Sequence, residues 1–204
     1  MGVDCSTGVG NDYSAIQILK ISNKNCYEQV AVYKNNKVKD YEYARVIQNL
    51  SSRYYDAMMV LEINDCGIHV AEELWYNLGC GNIINTTGKG LGTKATPKTK
   101  LAACMMLKNA VESKKLVLYD EETINQLSRY EEAAPNVFKG AKGQHDDLVS
   151  ALYWAVYCLN QPQIDLEYAE RSSIKSNTQI DDYTPPPCMF DESSDNTDFW
   201  RSFN

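Results

Sequence analysis

The sequence lacks the cysteine and histidine clusters that hold structural zinc or a disulfide framework. Its seven cysteines include no CxxC pair, their number is odd, and the chain has only two histidines. It has no apolar run near the roughly 20 residues that cross a bilayer. The opening MGVDCSTGVGNDYSA also lacks the basic and apolar regions of a signal peptide. We therefore expect a globular protein of a reducing, cytosolic environment, with no membrane-spanning segment.

A surplus of positive charge, the usual sign of a DNA-binding protein, is absent as well, since the formal net charge is −7. The acidic excess is concentrated after residue 160, where there are nine acidic and three basic residues. That segment carries 3 − 9 = −6, which leaves −7 − (−6) = −1 for residues 1–160. A nearly neutral body can still present a local basic patch, so the net charge does not exclude DNA binding.

Hydrophobic periodicity predicts a mixed α/β fold for the first 160 residues. The first five predicted elements are three strands, a helix and a buried strand, over Met1–Cys5, Tyr13–Ile21, Cys26–Tyr33, Asp40–Tyr55 and Ala57–Ile63. Later helices are predicted over Gly67–Leu78, Lys100–Val111, Glu121–Glu132 and Asp146–Leu159. This order fits a sheet flanked by helices, with the first three strands antiparallel and the later strands parallel.

The composition changes after Gln161, where the sequence becomes polar and acidic and contains a run of three prolines. Low hydrophobicity with excess charge of one sign is typical of segments that stay disordered or fold only against a partner. We therefore predict a domain over residues 1–160 and a tail over residues 161–204 that is partly disordered or docks in short segments.

Acidic residues stand at three places where the apolar pattern disfavours a charge. Asp4 ends the first strand, Glu62 interrupts the apolar run MMVLEI, and Asp146 and Asp147 open the apolar helix DLVSALYWAVYCL. A carboxylate inside a strand is unfavourable unless it meets a partner or a metal ion. If the first and fourth strands are neighbours, Asp4 and Glu62 lie side by side. The last helix could then bring Asp146 next to them.

Such a group of carboxylates predicts a site for divalent cations. Neighbouring carboxylates raise one another's pKa values unless a cation neutralises them, and Mg²⁺ or Mn²⁺ prefers oxygen ligands of this kind. Two ions about 3.5–4 Å apart can activate a water and stabilise the leaving oxygen when a phosphodiester is cleaved. A pair of ions needs a bridging carboxylate, and Asp4 is the natural candidate.

Each acid also has a simpler explanation. An aspartate at the start of a helix is often a cap, which applies to Asp146 and Asp147. Asp4, before a glycine-rich turn, could belong to an Asx-turn. Glu62 is the hardest to explain without a ligand, because a short buried strand disfavours a charge. The three acids together, in this strand order, favour the metal site.

Basic residues near these acids are candidates for contacts with DNA phosphates. Lysines interleaved with glycines after residue 85 could form a mobile loop that binds the backbone without reading sequence. Two more lysines precede the third acidic segment. The six candidates are Lys89, Lys94, Lys98, Lys100, Lys139 and Lys142, although any solvated loop contains such residues. His145 could orient a water or the scissile phosphate, or could be no more than the neighbour of a helix cap.

The segments GVDCSTGVGNDYSAIQIL, MMVLEINDCG and GQHDDLVSALYWA together resemble the three acidic motifs of phage terminase large-subunit nucleases, especially those of T-even-like phages. The resemblance covers about residues 1–160 and implies a ribonuclease H-like fold. It implies that Asp4, Glu62 and Asp146 are the catalytic, metal-binding triad, with Asp147 as a further metal-binding acid.

Two more residues take supporting roles from the same resemblance. Asp12 would be an acid of the first-motif loop, and Asn64 completes the Glu-x-Asn pattern of the second motif. Thr7 stands where related chains carry an acid, so the resemblance implies no fourth carboxylate at that position.

The activity implied by the resemblance is cleavage of concatemeric viral DNA by two Mg²⁺ or Mn²⁺ ions, in the host cell cytoplasm, during genome packaging. The implied partners are double-stranded DNA, a terminase ATPase domain, the portal protein and, as a further candidate, the small terminase subunit. No Walker motif occurs in the sequence, so we expect the ATPase to be another domain or chain. Two alternatives stay open: a Holliday-junction resolvase-like nuclease, or a catalytically inactive module that docks a portal or motor.

Overall fold

A computed structural model of the protein describes residues 1–7, 12–23, 26–86 and 90–166. The segment Met1–Leu166 forms one compact unit. Residues 167–204 lie outside the described part, so the predicted division after residue 160 stays a prediction. Among the described residues, no helix combines the length and the apolar composition needed to cross a membrane.

The described residues form seven strands and five α-helices, whose bounds fix the frame of the molecule. In chain order they are β1 (Gly2–Asp4), β2 (Ser14–Asn23), β3 (Cys26–Asn35), α1 (Asp40–Arg53), β4 (Val60–Leu61), α2 (Gly67–Glu72), α3 (Pro97–Glu112), β5 (Leu116–Val117), α4 (Glu121–Ser128), β6 (Tyr130–Ala134), β7 (Val137–Gly140) and α5 (Asp147–Leu159). A π-helical segment, Glu73–Asn77, continues α2.

Five strands form one mixed sheet in the order β4-β1-β2-β3-β5. The predicted arrangement is confirmed: β1, β2 and β3 are antiparallel neighbours, β4 is parallel to β1, and β5 is parallel to β3. Val3 lies opposite Leu61, and the Glu62 amide donates to the Val3 carbonyl at 3.2 Å. Asp4 therefore ends β1 and Glu62 directly follows β4, so both lie at the carboxyl ends of neighbouring parallel strands.

Helix α5 crosses the sheet and supplies the centre of the core. Its residues are buried on nearly every side, as expected of a helix whose sequence is apolar all round, and it packs against β1, β2 and α3. Gly2 makes the contact close. A Cβ atom there would lie 2.1 Å from the Ala151 carbonyl oxygen and 2.1 Å from the Ala155 nitrogen. Strand β1 thus touches the helix backbone itself, two residues before Asp4.

A buried polar network fixes the start of α5. The Gln126 side chain, on α4, accepts a hydrogen bond from the Leu148 amide at 3.0 Å. From β2, the Gln17 amide group lies 2.9 Å from the Thr123 hydroxyl and 3.3 Å from the Leu148 carbonyl. Gln29, on β3, donates in turn to Gln17 at 2.8 Å. The first turn of α5 is therefore tied to both the sheet and α4.

One predicted element is wrong in its second half. The helix expected over Glu121–Glu132 ends at Ser128, and Tyr130–Ala134 instead forms the strand β6, which pairs with β7. The turn between these strands contains Asn136 at a φ of 63°, a conformation that asparagine tolerates better than most residues. Tyr130 and Phe138 both pack against the core cluster around α3 and α5. Tertiary packing of this hairpin therefore overrides the local helical pattern.

We expect Gly2→Ala to destabilise the fold, because the added methyl group has no space against the backbone of α5. Overpacking of this kind costs about 1–3 kcal/mol of unfolding free energy, measurable by urea denaturation. Gly81→Ala is the matched control, since a Cβ there meets nothing within 4 Å. Equal stability of the two variants would show that β1 and α5 do not pack this closely.

Removing the Gln126 side chain, which caps α5 from the neighbouring helix α4, should also lower the unfolding free energy. Gln126→Ala leaves the Leu148 amide without its acceptor, and an unpaired buried group costs about 1–3 kcal/mol. Asn125→Ala, an exposed position on the same helix, should change the unfolding free energy little. If Gln126→Ala is no less stable than Asn125→Ala, the amide must have found another acceptor.

Candidate metal centre

The Asp4 carboxyl group lies among other acidic groups at the carboxyl end of β1. Its pKa is raised well above its ordinary value, mainly because it is buried and then because the carboxylates of Glu62, Asp147 and Asp146 are near it. The ammonium group of Lys100, at the start of α3, acts in the opposite direction. Two segments that are far from Asp4 in sequence therefore place their acids within electrostatic reach of it.

Glu62 is held by a tryptophan of α5. The indole Nε1 of Trp154 donates to Glu62 Oε2 at 2.8 Å. Burial raises the pKa of Glu62, while this hydrogen bond and Lys100 lower it. The aromatic residues of α5 lie at a spacing typical of core packing, and sequence reasoning does not assign this role to Trp154. A signal was present: Trp154 follows Asp147 by two helical turns on the same face, and a buried indole usually needs an acceptor.

Asp146 stands at the N-cap position of α5 but does not act as a side-chain cap. Its Oδ2 instead accepts a hydrogen bond from the Gly140 amide at the end of β7, at 2.9 Å. A Cβ on Gly140 would lie 3.3 Å from that of Asp146, so the hairpin approaches the acid closely. Since Gln126 supplies an acceptor to the first turn of α5, the Asp146 carboxylate is not needed for capping.

Asp147 is the most buried acid of the group, with 8% of its surface exposed. Its Oδ1 accepts from the Tyr13 amide at 3.2 Å. Its Oδ2 is buried without a hydrogen-bond partner and lies 3.5 Å from His145 Nδ1. Burial raises the pKa of this carboxyl group, and the Tyr13 amide and His145 lower it. An unpartnered buried carboxylate oxygen is unfavourable unless a cation or a water reaches it.

Asp147 also belongs to the most compact set of potential ligands. In the described ranges, Asp12, His145 and Asp147 can each offer an atom such that all three lie within 4.8 Å of one another. The three residues of the predicted triad do not reach that spacing as a set. The reason is visible in their contacts, because Glu62 and Asp146 are each tied to a different element. Asp147, Asp12 and His145 therefore form a candidate ligand set of their own, to which Asp147 contributes an acid of the third motif.

These donor atoms suit a hard divalent cation. Most are carboxylate oxygens, which Mg²⁺ and Mn²⁺ prefer, and Oδ2 of Asp147 is buried without a hydrogen-bond partner. Like-charged neighbours around Asp4 add a second reason, since a bound cation would relieve their repulsion. The side chains that could hold metal are Asp4, Glu62, Asp146, Asp147, Asp12 and His145.

Asn64 has a positioning role in the described structure. Its Nδ2 donates to the Ala95 carbonyl at 3.0 Å, and its Oδ1 accepts from the Ala95 amide at 3.1 Å. This paired contact fixes the segment that enters α3 and hence the helix that carries Lys100. Both polar atoms of the side chain are therefore already engaged with the backbone.

The predicted basic residues have different surroundings. Lys100 lies in the first turn of α3, because the helix begins at Pro97, three residues before the predicted start, and Thr96 caps it. Lys94 and Lys98 are exposed, as are Lys139 on β7 and Lys142 in the turn before α5. Lys89 lies outside the described residues. Of the set, Lys100 is the one whose charge acts on the Asp4 and Glu62 carboxyl groups.

Comparison with solved structures places the fold beside a phage nuclease. The large terminase nuclease from thermophilic phage G20c matches with a TM-score of 0.59 and 20% identity, over 76% of this chain and 79% of that chain. Its structure with bound cobalt matches with a TM-score of 0.60 and 22% identity, over 76% and 78% of the two chains. Its structure with bound magnesium gives 0.61 and 21%, over the same shares. At this identity the likeness establishes a shared fold.

The sequence itself matches a family model. The model is that of the terminase RNase H-like domain, and the match covers residues 1–158, which include Asp4, Glu62, Asp146 and Asp147. The chain therefore belongs to the family of terminase RNase H-like domains.

Proposed function

We propose that the protein is the metal-dependent DNA endonuclease of a terminase large subunit, which cleaves concatemeric viral DNA during genome packaging. The observation that carries the proposal is the set of carboxylates coupled to Asp4, joined by the unpartnered buried oxygen of Asp147. The structures of the similar phage nuclease with cobalt and with magnesium support the choice of a divalent cation, for which we propose two Mg²⁺ or Mn²⁺ ions.

The residues divide into ligands and side chains that hold the ligands. Asp4, Glu62 and Asp146 would hold the ions, with Asp147 as a further ligand. When bound, the ions would supply the Lewis acidity that activates water and neutralises the leaving 3′ oxygen. Asp12 and His145 lie close enough to Asp147 to complete the ligand set or to orient a water.

Several contacts keep the carboxylates in place before any ion binds. Trp154 orients Glu62, the Gly140 amide orients Asp146, and the Tyr13 amide orients one oxygen of Asp147. Lys100 reduces the repulsion among the acids without forming part of the ligand set. Such fixed orientation matters because misplaced ligands lose much of their effect on metal affinity and rate.

The substrate in this proposal is double-stranded DNA bound through its phosphates. Exposed Lys94, Lys98, Lys139 and Lys142, with Lys89, are candidates for these contacts, which carry no sequence information. The proposed partners are a terminase ATPase domain, the portal protein and the small terminase subunit, and the proposed compartment is the host cell cytoplasm.

Plasmid cleavage tests the activity directly. We expect the wild type to nick and linearise plasmid DNA with Mg²⁺ or Mn²⁺ and to be inactive in EDTA. Asp4→Asn, Glu62→Gln and Asp146→Asn should each lose about a hundredfold or more, because metal ions contribute several kcal/mol to such reactions and each 1.4 kcal/mol is a factor of ten.

Glu72→Gln, which changes an exposed carboxylate on α2, is the matched control and should cleave like the wild type. If the folded wild type fails to cleave with either metal, the nuclease proposal is wrong and the docking-module alternative is favoured. Cleavage of four-way junctions with linear DNA left intact would instead indicate a resolvase-like nuclease.

A second test uses stability rather than activity. Because burial and like charges raise the pKa of Asp4 above 3.8, the folded protein holds this proton more tightly than the unfolded chain. Its ionisation therefore lowers the unfolding free energy as pH rises from the unfolded pKa through the raised folded pKa. In EDTA at neutral pH, Asp4→Asn should melt above the wild type, by about 2–4 °C for each kcal/mol relieved.

Divalent metal should reverse that order. Mg²⁺ or Mn²⁺ should raise the melting temperature of the wild type, since it binds the folded state, and should raise that of Asp4→Asn much less. Glu72→Gln should follow the wild type under both conditions. If neither metal changes the melting temperature of the wild type, and Asp4→Asn behaves identically, a metal centre at Asp4 is contradicted.

A further inference from the structure

A polar cavity of about 280 Å³ lies beside the candidate metal centre. Its wall contains two cationic side chains, Lys34 and Arg129, one carboxylate, Glu122, and the ring of His145, and three carboxamide side chains complete it. Among the residues that the structure describes, the side chains of the wall are all polar or charged. Two positive charges against one negative charge favour an anionic ligand rather than an apolar or cationic one.

The side chain of Lys34 is held by contacts with residues outside its own strand, β3. Its side chain is only 15% exposed, and its ammonium group pairs with the carboxylate of Glu122. The same group lies 3.9 Å from the ring centroid of Tyr13, which is a favourable cation–π distance. These contacts point the charge at the cavity and limit its freedom, so less entropy is lost when an anion binds.

Arg129 is also oriented. It follows α4, and its Nη1 donates to the side-chain oxygen of Gln144 at 2.6 Å. A guanidinium group has five N–H donors in a fixed plane, so this single bond leaves donors for a further acceptor. Planar donors of this kind match the two free oxygens of a phosphodiester.

The cavity is continuous with the metal centre through His145. This residue is part of the cavity wall, packs edge to face against Tyr13 with ring centroids 5.2 Å apart, and lies 3.5 Å from Asp147. A DNA strand whose scissile phosphate reaches Asp147 would therefore bring a neighbouring phosphate to the cavity.

We propose that Lys34 and Arg129 form a phosphate-binding subsite that holds the DNA backbone next to the phosphate being cleaved. The proposal rests on the nuclease function proposed above and adds residues that the acidic motifs do not include. The Lys34–Glu122 pair then has a second consequence: Glu122 competes with the phosphate for the ammonium group of Lys34.

The salt dependence of DNA binding tests the subsite. Anisotropy of a fluorescein-labelled duplex is measured against KCl in EDTA, so that no cleavage occurs. Each lost phosphate contact lowers the slope of log Kd against log salt by about 0.9, and we expect this for Lys34→Gln and for Arg129→Gln. Lys20→Gln, which removes a lysine from an exposed pair with Glu28, should leave the slope unchanged, and Arg129→Lys should retain most of it.

Glu122→Gln should have the opposite effect. It removes the competing negative charge and leaves Lys34 in the cavity, so we expect a lower Kd for the duplex than in the wild type. A purely structural Lys34–Glu122 pair would instead give equal or weaker binding. Inorganic phosphate, added as a competitor, distinguishes a site for free phosphate from a site for the DNA backbone. Low phosphate concentrations would block DNA binding at a site for free phosphate and would leave binding at a backbone site unaffected.

Plasmid cleavage with Mg²⁺ completes the test. Lys34→Gln and Arg129→Gln should raise KM and retain kcat. If the wild type cleaves DNA and the Lys34 and Arg129 variants behave like Lys20→Gln, the subsite is wrong and the proposed nuclease function stands. A fall in kcat with an unchanged salt slope would overturn it as well, since Arg129 would then act through Gln144. A wild type that neither binds nor cleaves DNA would remove the nuclease function itself.

Discussion

The contact between β1 and α5 is the constraint on which the rest of the structure depends. Gly2 lets the strand lie against the helix backbone, and the two elements carry acids of the first and third motifs. Any larger residue at this position would push β1 away from the backbone of α5. Because β1 is also hydrogen-bonded to β4, the same contact sets the distance from the helix to Glu62. One glycine thus governs the geometry of three motifs.

The start of α5 shows how a helix terminus can be satisfied while its acids remain available. A helix leaves its first amide groups without internal partners, and an aspartate at the N-cap usually supplies the acceptor. Here Gln126 provides that acceptor from a neighbouring helix, and Asp146 turns to the Gly140 amide. The cost is a set of buried polar groups that must all be paired, and Gln17, Gln29 and Thr123 provide the pairing.

The candidate centre is an electrostatically unfavourable arrangement that the surrounding fold maintains. Burial and like charge both act against ionisation of Asp4, and Asp147 keeps a buried oxygen without a partner. The charge of Lys100 offsets only part of the effect on Asp4. Stability alone would not favour grouping these acids, and a bound cation would offset the repulsion among them. In the proposed function, metal binding and stability are therefore opposed at this site, as is common where ligands are held ready.

The sequence by itself determined the antiparallel start of the sheet, the long apolar helix and the acids that interrupt apolar segments, because hydrophobic periodicity and misplaced charges are local properties. That β4 lies next to β1 was decided by the tertiary structure. The three acidic segments were also enough to recognise the terminase family. Only the tertiary structure decided which groups hold those acids. Trp154 donates to Glu62 and Gly140 donates to Asp146, while Gln126 accepts from Leu148 at the start of the helix that carries Asp147.

The cavity between Lys34 and Arg129 has the same origin, since β3 and α4 become neighbours only when the sheet and the helices pack. Packing likewise decided the end of α4. The pattern after Ser128 is compatible with a helix locally, yet the hairpin buries Tyr130 and Phe138 against the core. Local sequence fixed what each segment could form, and the long-range contacts selected among those possibilities, because their free energy exists only in the folded chain.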